Sequence, residues 1–227
     1  MTAMEKLATE KPKIRRPRKG VGTWTQDPEG VRRNILDVAR QEFVEHGLSG
    51  ARVDIIANRT ATSKRMIYYY FKDKEALYLA VLEESYVRIR GIEIALDLEA
   101  MHPVEALAAL VGFTFDYHAD NPDFVRLVMV ENIHHARHLK ASVKIKELNS
   151  SAISTIEAIY QRGVRLGVFR AGIRSIDIHL TISALSFYNI SNRASIAEVF
   201  GHFMEEPGER IRRRQAVIDA VVRFIIA

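Results

Sequence analysis

The sequence predicts an all-α protein with a small three-helix N-terminal domain and a larger helical C-terminal domain. Apolar residues recur at helical spacing from about residue 28 to the end of the chain, and no segment sustains the alternation of a β-strand. Pairs such as Asp27-Pro28, His102-Pro103 and Asn121-Pro122 are typical of helix starts. From residue 103 onward the apolar runs become longer, which places the second domain there.

Composition excludes several classes of protein. The chain has no cysteine, so disulfides, thiolate nucleophiles and cysteine-based zinc sites are ruled out. No apolar run approaches the ~18 residues of a membrane span, and no apolar segment of a secretory signal opens the chain. We therefore expect a cytoplasmic protein without a membrane partner.

Positive charge is concentrated near the N-terminus. Residues 1–24 carry seven cations and two anions, and residues 52–74 carry six cations and two anions, whereas the chain as a whole has a net charge of +5. A basic front end on a neutral body is typical of a protein that binds a polyanion. The alternative is a solvated tail beside a solvated face.

The first 24 residues contain two prolines and two glycines without apolar periodicity, which predicts a flexible basic arm. Such an arm is able to follow phosphates or enter a minor groove. Its candidate DNA contacts are Lys13, Arg15, Arg16, Arg18 and Lys19.

The first helix is predicted to start at Asp27-Pro28 and to end near Gly47. Two short helices follow, separated by a break at residues 60–62, with Ser63 as the cap of the second. This second helix displays cations and tyrosines, and a short helix of this kind, propped by another, is the element that enters a DNA major groove. A fourth helix is predicted over residues 74–94, capped by Asp73.

The segment R-V-D-I-I-A-N-R-T-A-T-S-K-R-M-I-Y-Y-Y-F-K-D-K-E-A-L-Y at 52–78, preceded by A-R-Q-E-F-V-E-H-G at 39–47, resembles the N-terminal domain of the TetR family of bacterial repressors. The resemblance implies a homodimer with a helix-turn-helix domain at 25–92 and a C-terminal domain at 93–227 that binds a small molecule and dimerises. The family usually has threonine at Arg52, glycine at Ala61 and a small residue at Arg65. These departures imply a lost cap, a strained turn and an added cation.

The predicted DNA contacts have different roles. Lys64 and Arg65 are the candidates for base edges, because arginine pairs bidentately with guanine. The resemblance implies phosphate contacts for the two tyrosines, and the lysines after the motif are predicted to meet a phosphate at a helix start. The full set in this segment is Arg52, Thr62, Ser63, Lys64, Arg65, Tyr68, Tyr69, Lys72 and Lys74.

Helices at about 175–192 and 207–226 are predicted to form the homodimer interface. The first is apolar around most of its circumference, which indicates burial on all sides. The family pairs its last two long helices between subunits. The alternative from periodicity alone is an intramolecular core.

An effector pocket needs apolar walls and a few converging polar groups. Candidates are the polar and aromatic residues embedded in apolar runs, although each is individually more typical of core or surface: Phe113, Tyr117, Phe124, Met129, Glu131, Asn132, His135, Tyr160, Ser183, Phe187, Tyr188 and Asn189, with His118 beside Tyr117. Residues 122–140 resemble the pyrimidine-utilisation regulators of the family, which implies a small polar or aromatic effector.

The histidines near residue 135 have two interpretations, a metal site or an ordinary polar surface. Glu131, His134 and His138, with His135 nearby, have the spacing of zinc ligands on one helical face, but Ala136-Arg137 is typical of a helix junction. We therefore predict no metal and no cofactor. Nucleophile-elbow, phosphate-loop and dinucleotide-binding patterns are missing from the sequence, so no enzyme is expected. The predicted function is a repressor released from a near-palindromic operator by a small molecule; the alternative is an architectural DNA-binding protein that takes no effector.

Overall fold

The computed structural model describes residues 27–227. The arm candidates Lys13, Arg15, Arg16, Arg18 and Lys19 lie outside the described residues. The described part consists of ten α-helices: α1 Pro28–Gly50, α2 Val53–Arg59, α3 Lys64–Phe71, α4 Lys74–Ile94, α5 Pro103–Asp120, α6 Pro122–Ile133, α7 Val143–Arg165, α8 Ser175–Ser191, α9 Arg193–Phe200 and α10 Pro207–Ile225. A 3₁₀ turn, Leu139–Ala141, precedes α7, and the all-α prediction is confirmed.

Local capping chemistry fixes the starts of the N-terminal helices. The Asp27 carboxylate accepts a hydrogen bond from the Gly30 N–H at 2.8 Å, and the Asp73 carboxylate accepts one from the Ala76 N–H at 2.7 Å. These acceptors satisfy N–H groups that have no partner within their own helix. Regular helix α1 ends at Gly47, whose φ of +65° suits glycine.

Helices α1 to α4 enclose one hydrophobic core, centred on Ile35, Phe43, Ile67 and Tyr78. Leu127 of α6 and Ile145 of α7 complete this core. A second core, between α5, α7, α8 and α10, contains the body of the C-terminal half. Helix α4 passes from the first core towards the second, so it connects the N-terminal helices to the rest of the chain.

Two segments differ from the sequence prediction. The long helix expected from about residue 138 starts at Val143, because residues 139–141 form a 3₁₀ turn and Ser142 has an extended backbone. Ser142 then caps α7 by accepting from the Ile145 N–H at 3.1 Å. Helix α9 was not predicted, because it is only eight residues long and its sequence has no proline or capping acid as a start signal; none of its residues is buried. No helix among residues 27–227 has the length and apolarity that crossing a membrane requires.

Candidate DNA-binding surface and effector cavity

The recognition surface is the outer face of α3. Ile67 and Phe71 are buried in the first core, while Lys64, Arg65 and Tyr69 are exposed. Tyr68 is also exposed, on the same outer face. The burial of residues four apart anchors the helix by one face and leaves the cations and tyrosines directed outward.

The N-terminus of α3 is capped as predicted, since the Ser63 hydroxyl accepts a hydrogen bond from the Met66 N–H at 3.2 Å. Ser63 therefore has a structural role at the helix start. Thr62 is half-buried, and its N–H donates to the Ala57 carbonyl at 3.0 Å. Ala61 in the same turn has a φ of +50°, which is the strain expected for alanine in place of glycine.

The acidic Asp54 of α2 organises two of the cations. Its carboxylate forms an ion pair with Lys64 and lies 3.8 Å from the Arg52 guanidinium. Both pairs are exposed, so each contributes little to stability. Asp54 holds the two cations beside the recognition helix, and a phosphate or base is able to compete for them.

Two side chains form hydrogen bonds with the backbone of the segment between α1 and α2. The buried Glu42 carboxylate accepts from the Arg52 N–H at 3.0 Å, which fixes the residue before α2, while no side chain caps the helix itself. The Lys74 ammonium donates to the carbonyl oxygens of Ser49 and Ala51 at 3.4 and 3.1 Å. In this structure the Lys74 donors are directed to the protein backbone, and its contact with a phosphate stays a prediction. Lys72 stays exposed at the end of α3.

The inner cavity lies between α4, α5, α6, α7 and α8 and has a volume of about 200 Å³. Its walls combine aromatic rings with a few polar side chains: Tyr86, Ile89, Arg90, Glu93, Leu110, Thr114, His118, Phe124, Val128, Asn149, Ile156, His179, Ile182, Ser183 and Phe187. Of the predicted candidates, the structure brings together His118, Phe124, Ser183 and Phe187 at this cavity. Apolar walls combined with converging polar groups are typical of a small-molecule site.

Two histidines form one polar wall of the inner cavity. His118 stacks on Phe124 with ring centroids 6.0 Å apart, and its Nδ1 is buried without a hydrogen-bond partner in the described chain. Burial, with smaller contributions from Arg90 and His179, lowers the pKa of His118 to about 4. Burial also lowers the pKa of His179. Both rings are therefore neutral at pH 7.

Arg90 forms the opposite polar wall. Its guanidinium is ion-paired with Glu93 one turn later on α4 and donates through Nη2 to the Asn149 amide oxygen at 2.8 Å. Both side chains are largely buried. Sequence reasoning missed this group, because an Arg and a Glu three residues apart on a helix are typical of a solvated face.

Several predicted pocket residues lie elsewhere, and those predictions are corrected. Glu131 is fully buried, but its carboxylate accepts from the ring Nδ1 of His138 at 2.8 Å and from two backbone N–H groups, so it closes the end of α6. The Tyr160 hydroxyl donates to the Arg170 carbonyl at 2.9 Å inside the second core. Asn189 ties α8 to α10, since its oxygen accepts from Arg213 at 2.9 Å.

The remaining candidates also lie outside the inner cavity. Tyr117 belongs to a separate surface depression beside α1, and Phe113 packs between the second core and a small aromatic cluster. Both point away because one residue along α5 turns the side chain by about 100°. The other four candidates are exposed: Met129, Asn132, His135 and Tyr188.

The histidines near residue 135 do not share one helical face. Helix α6 ends at Ile133, and the two positive-φ residues after His134 redirect the chain. Glu131 and His138 are paired, whereas His134 is exposed. Over residues 27–227, no three His, Asp or Glu side chains cluster in a way that suits a metal ion.

An apolar stripe remains exposed on the last helices of the single chain. Ile176, Leu180 and Tyr188 follow one face of α8 and are 40%, 56% and 55% exposed, and Ile211 of α10 is 70% exposed. The opposite face of α8 is buried in the second core by Ile178 and Ile182. These apolar side chains lie outside the second core, and an exposed apolar face of this kind is typical of a surface that contacts another protein.

Two family models match the chain. Residues 35–81 match the model described as bacterial regulatory proteins, tetR family, and residues 103–221 match the tetracyclin repressor-like C-terminal domain. Between them they include the recognition surface and most of the residues that line the inner cavity.

Individual proteins resemble the chain over most of its length. The transcriptional repressor NicS of Pseudomonas putida is 34% identical over 176 residues, which is 78% of this chain and 83% of that protein. The crystal structure of a transcriptional regulator from Streptomyces coelicolor has a TM-score of 0.66 at 26% identity and covers 86% of this chain and 98% of its own. The regulator FadR of Bacillus subtilis, solved with stearoyl-CoA, has the same fold with a TM-score of 0.66 at 18% identity, over 84% of this chain and 97% of its own.

Proposed function

Because the chain belongs to the TetR family of bacterial transcriptional regulators, we propose that it is a homodimeric repressor that a small molecule releases from its operator. The observation that carries this proposal is the outer face of α3, where Lys64, Arg65, Tyr68 and Tyr69 are exposed together. We infer that the protein acts in the cytoplasm on double-stranded DNA.

On the DNA, α3 enters the major groove from its N-terminal end. Arg65 is the main candidate for a guanine edge, and Lys64 leaves Asp54 to reach a base or phosphate. Tyr68, Tyr69, Lys72 and Arg52 supply phosphate contacts around the groove. Ser63 holds the helix start, and Thr62 lies at the rim of the same surface.

Two subunits pair through α8 and α10. The exposed side chains of Ile176, Leu180 and Tyr188 on α8 and of Ile211 on α10 support this pairing. A two-fold dimer places its two recognition helices about 34–36 Å apart, in successive major grooves of a near-palindromic site.

The inner cavity is the effector site in this proposal. Tyr86, Arg90 and Glu93 line it from α4, the helix that directly follows the recognition helix, and Phe124 lines it from α6. Helix α6 also supplies Leu127 to the N-terminal core. A ligand that prefers one arrangement of α4 and α6 therefore changes the spacing of the two recognition helices, and its differential affinity for that arrangement releases the DNA.

The competing function is an architectural DNA-binding protein that takes no effector. A C-terminal half packed without internal space would favour it. The partly open cavity of about 200 Å³, with histidine and arginine side chains on its walls, favours the sensor instead.

The test is a titration of the full-length protein on its own upstream DNA, with and without a metabolite library. We expect at least one compound to lower operator affinity, and a Ser183→Phe variant, whose ring occupies the cavity, to bind DNA normally without responding. If no compound in a broad library releases the DNA, the effector-controlled mechanism is wrong. If release persists in the Ser183→Phe variant, the effector binds outside the inner cavity.

A further inference from the structure

Arg90 gives the inner cavity its chemical character. It is the single cation among the lining side chains, and its side chain is 13% exposed. Glu93 and Asn149 engage its terminal nitrogens, whereas Nε is buried and has no hydrogen-bond partner within residues 27–227. A buried donor of this kind favours a ligand that supplies an acceptor.

His118 presents a second such atom. The residue is 5% exposed, and its Nδ1 is buried without a partner in the same part of the chain. The ring is neutral at pH 7, so one of its nitrogens carries a proton that is available for donation. Arg90 and His118 both line the inner cavity, and each has a buried nitrogen that lacks a hydrogen-bond partner within residues 27–227.

The charge of Arg90 favours an anion beside its guanidinium. Burial is the main cause of the lowered pKa values of His118 and His179, and the charge of Arg90 lowers both pKa values further. The same charge opposes a cationic ligand near the guanidinium.

The walls also limit the size and shape of the ligand. Tyr86, Phe124 and Phe187 present flat apolar surfaces around the polar groups. A dry cavity of about 150 Å³ is large enough for benzene. The inner cavity, at about 200 Å³, therefore suits a one-ring molecule with one small polar substituent.

Glu93 lies between two neighbouring cavities. Like Arg90, it lines the inner cavity and also an outer groove between α4 and α7, which has a volume of about 350 Å³ and includes Asp97 and Glu99. The Glu93 carboxylate therefore has a second, larger space beside it, where water screens its charge from the neighbouring acids.

We propose, on the basis of the proposed sensor function, that the effector is a compact monocarboxylic acid whose carboxylate replaces Glu93 as the partner of Arg90. Glu93 then turns into the outer groove. The guanidinium stays paired throughout, so no buried charge is left alone. Because both residues are on α4, the exchange alters the helix that leads to the recognition surface.

The test compares benzoate, benzamide and benzylamine for binding to the full chain by calorimetry. We expect benzoate to bind about tenfold or more tightly than benzamide, since a hydrogen bond to a charged group is stronger than one to a neutral group, and benzylamine not to bind. Glu93→Gln removes the competing carboxylate, so benzoate binds this variant more tightly. Glu105→Gln, at an exposed acid in the first turn of α5, leaves the affinity for benzoate unchanged.

Removing Arg90 gives the opposite result. Arg90→Met combined with Glu93→Met reduces benzoate binding to the level of benzamide without leaving a lone charge. Arg90→Lys keeps the positive charge but lacks the planar guanidinium, so it should bind benzoate more weakly. This variant provides a second test if the double variant fails to fold.

Three results would overturn the ligand class: equal binding of benzamide and benzoate, weaker binding of benzoate to Glu93→Gln, or no binding by benzoate, phenylacetate or hexanoate. Operator release by a neutral or cationic compound alone would reject the acid but leave the effector-controlled repressor intact. Failure of the entire library to release the operator would reject both.

Discussion

The recognition surface and the inner cavity place similar side chains in opposite surroundings. On α3 the exposed cations and tyrosines lie within residues 64–69, so water stabilises the charges and a single helix determines the geometry. In the cavity, Arg90, Glu93 and His118 are largely buried, and five helices must assemble to form the walls around them. The comparison teaches that the DNA surface depends on local sequence, whereas the cavity depends on tertiary packing.

The largest expected effect is at the recognition surface. Replacing both Lys64 and Arg65 with alanine should weaken operator binding about a hundredfold or more, because each lost base or phosphate contact is worth about 1–3 kcal/mol. Fluorescence anisotropy at a fixed salt concentration measures the change, and the urea midpoint should stay the same. The matched control replaces Lys144 and Arg165, two exposed cations of α7, and should have little effect. Unchanged affinity in the first variant would remove Lys64 and Arg65 as readers.

The second largest effect is the pH dependence of stability that His118 causes in the inner cavity. His118 has a pKa of about 4 in the folded protein against 6.5 when exposed. Between these values the unfolded chain binds a proton that the folded protein does not, so stability falls as the pH falls from 6.5 towards 4. This residue should contribute roughly 2–3 kcal/mol of that loss.

A His118→Gln variant checks this contribution. Urea unfolding at pH 7.5, 5.5 and 4.5 should show a smaller loss of stability for the variant than for the native protein. Parallel losses in the two proteins would show that His118 is already protonated or exposed in the folded state.

Variants of two lysines near the recognition helix distinguish a role in stability from a role in DNA binding. Lys74→Met should lower the free energy of unfolding by roughly 1–2 kcal/mol, because the Ser49 and Ala51 carbonyls lose their donor. Lys72→Met should leave stability almost unchanged and reduce the salt dependence of operator binding by a log–log slope of about 0.9. If Lys74→Met reduced the salt dependence and left stability unchanged, Lys74 would be a DNA contact.

The smallest effect concerns the turn before α3. Ala61→Gly should raise the free energy of unfolding by roughly 0.5–1 kcal/mol, because the φ of +50° strains alanine more than glycine. Thermal unfolding detects such a change. Ala51→Gly is the control, since Ala51 has a φ of −63° and is buried, and it should destabilise the protein. A destabilised Ala61→Gly variant would show that the turn is not strained.

Predictability from sequence follows the same division. The bounds of α4, α5 and α10 could be predicted because a capping acid or a proline marks each start. The roles of Glu42 and Lys74 could not, since the partner of Glu42 lies 10 residues away and those of Lys74 lie 23 and 25 residues away.

The cavity could be predicted only in part. Phe124, Ser183 and Phe187 were identified as polar or aromatic residues within apolar runs, whereas Arg90 and Glu93 had no such signal. Which of two adjacent residues faces inward, as with Tyr117 and His118, depends on how α5 is rotated against its neighbours. Neighbouring helices determine that rotation, and the sequence of α5 alone does not. The narrower resemblance of residues 122–140 to pyrimidine-utilisation regulators stays a prediction.

The participation of Leu127 and Ile145 in the N-terminal core limits how modular this protein is. A fragment that ends at residue 94 lacks both side chains, so it exposes the apolar surface that they cover. A chimera that joins residues 27–94 to another sensing domain must supply equivalent side chains at these two places. Exchange of sensing domains between such regulators is therefore constrained by shared packing, in addition to the choice of operator and ligand.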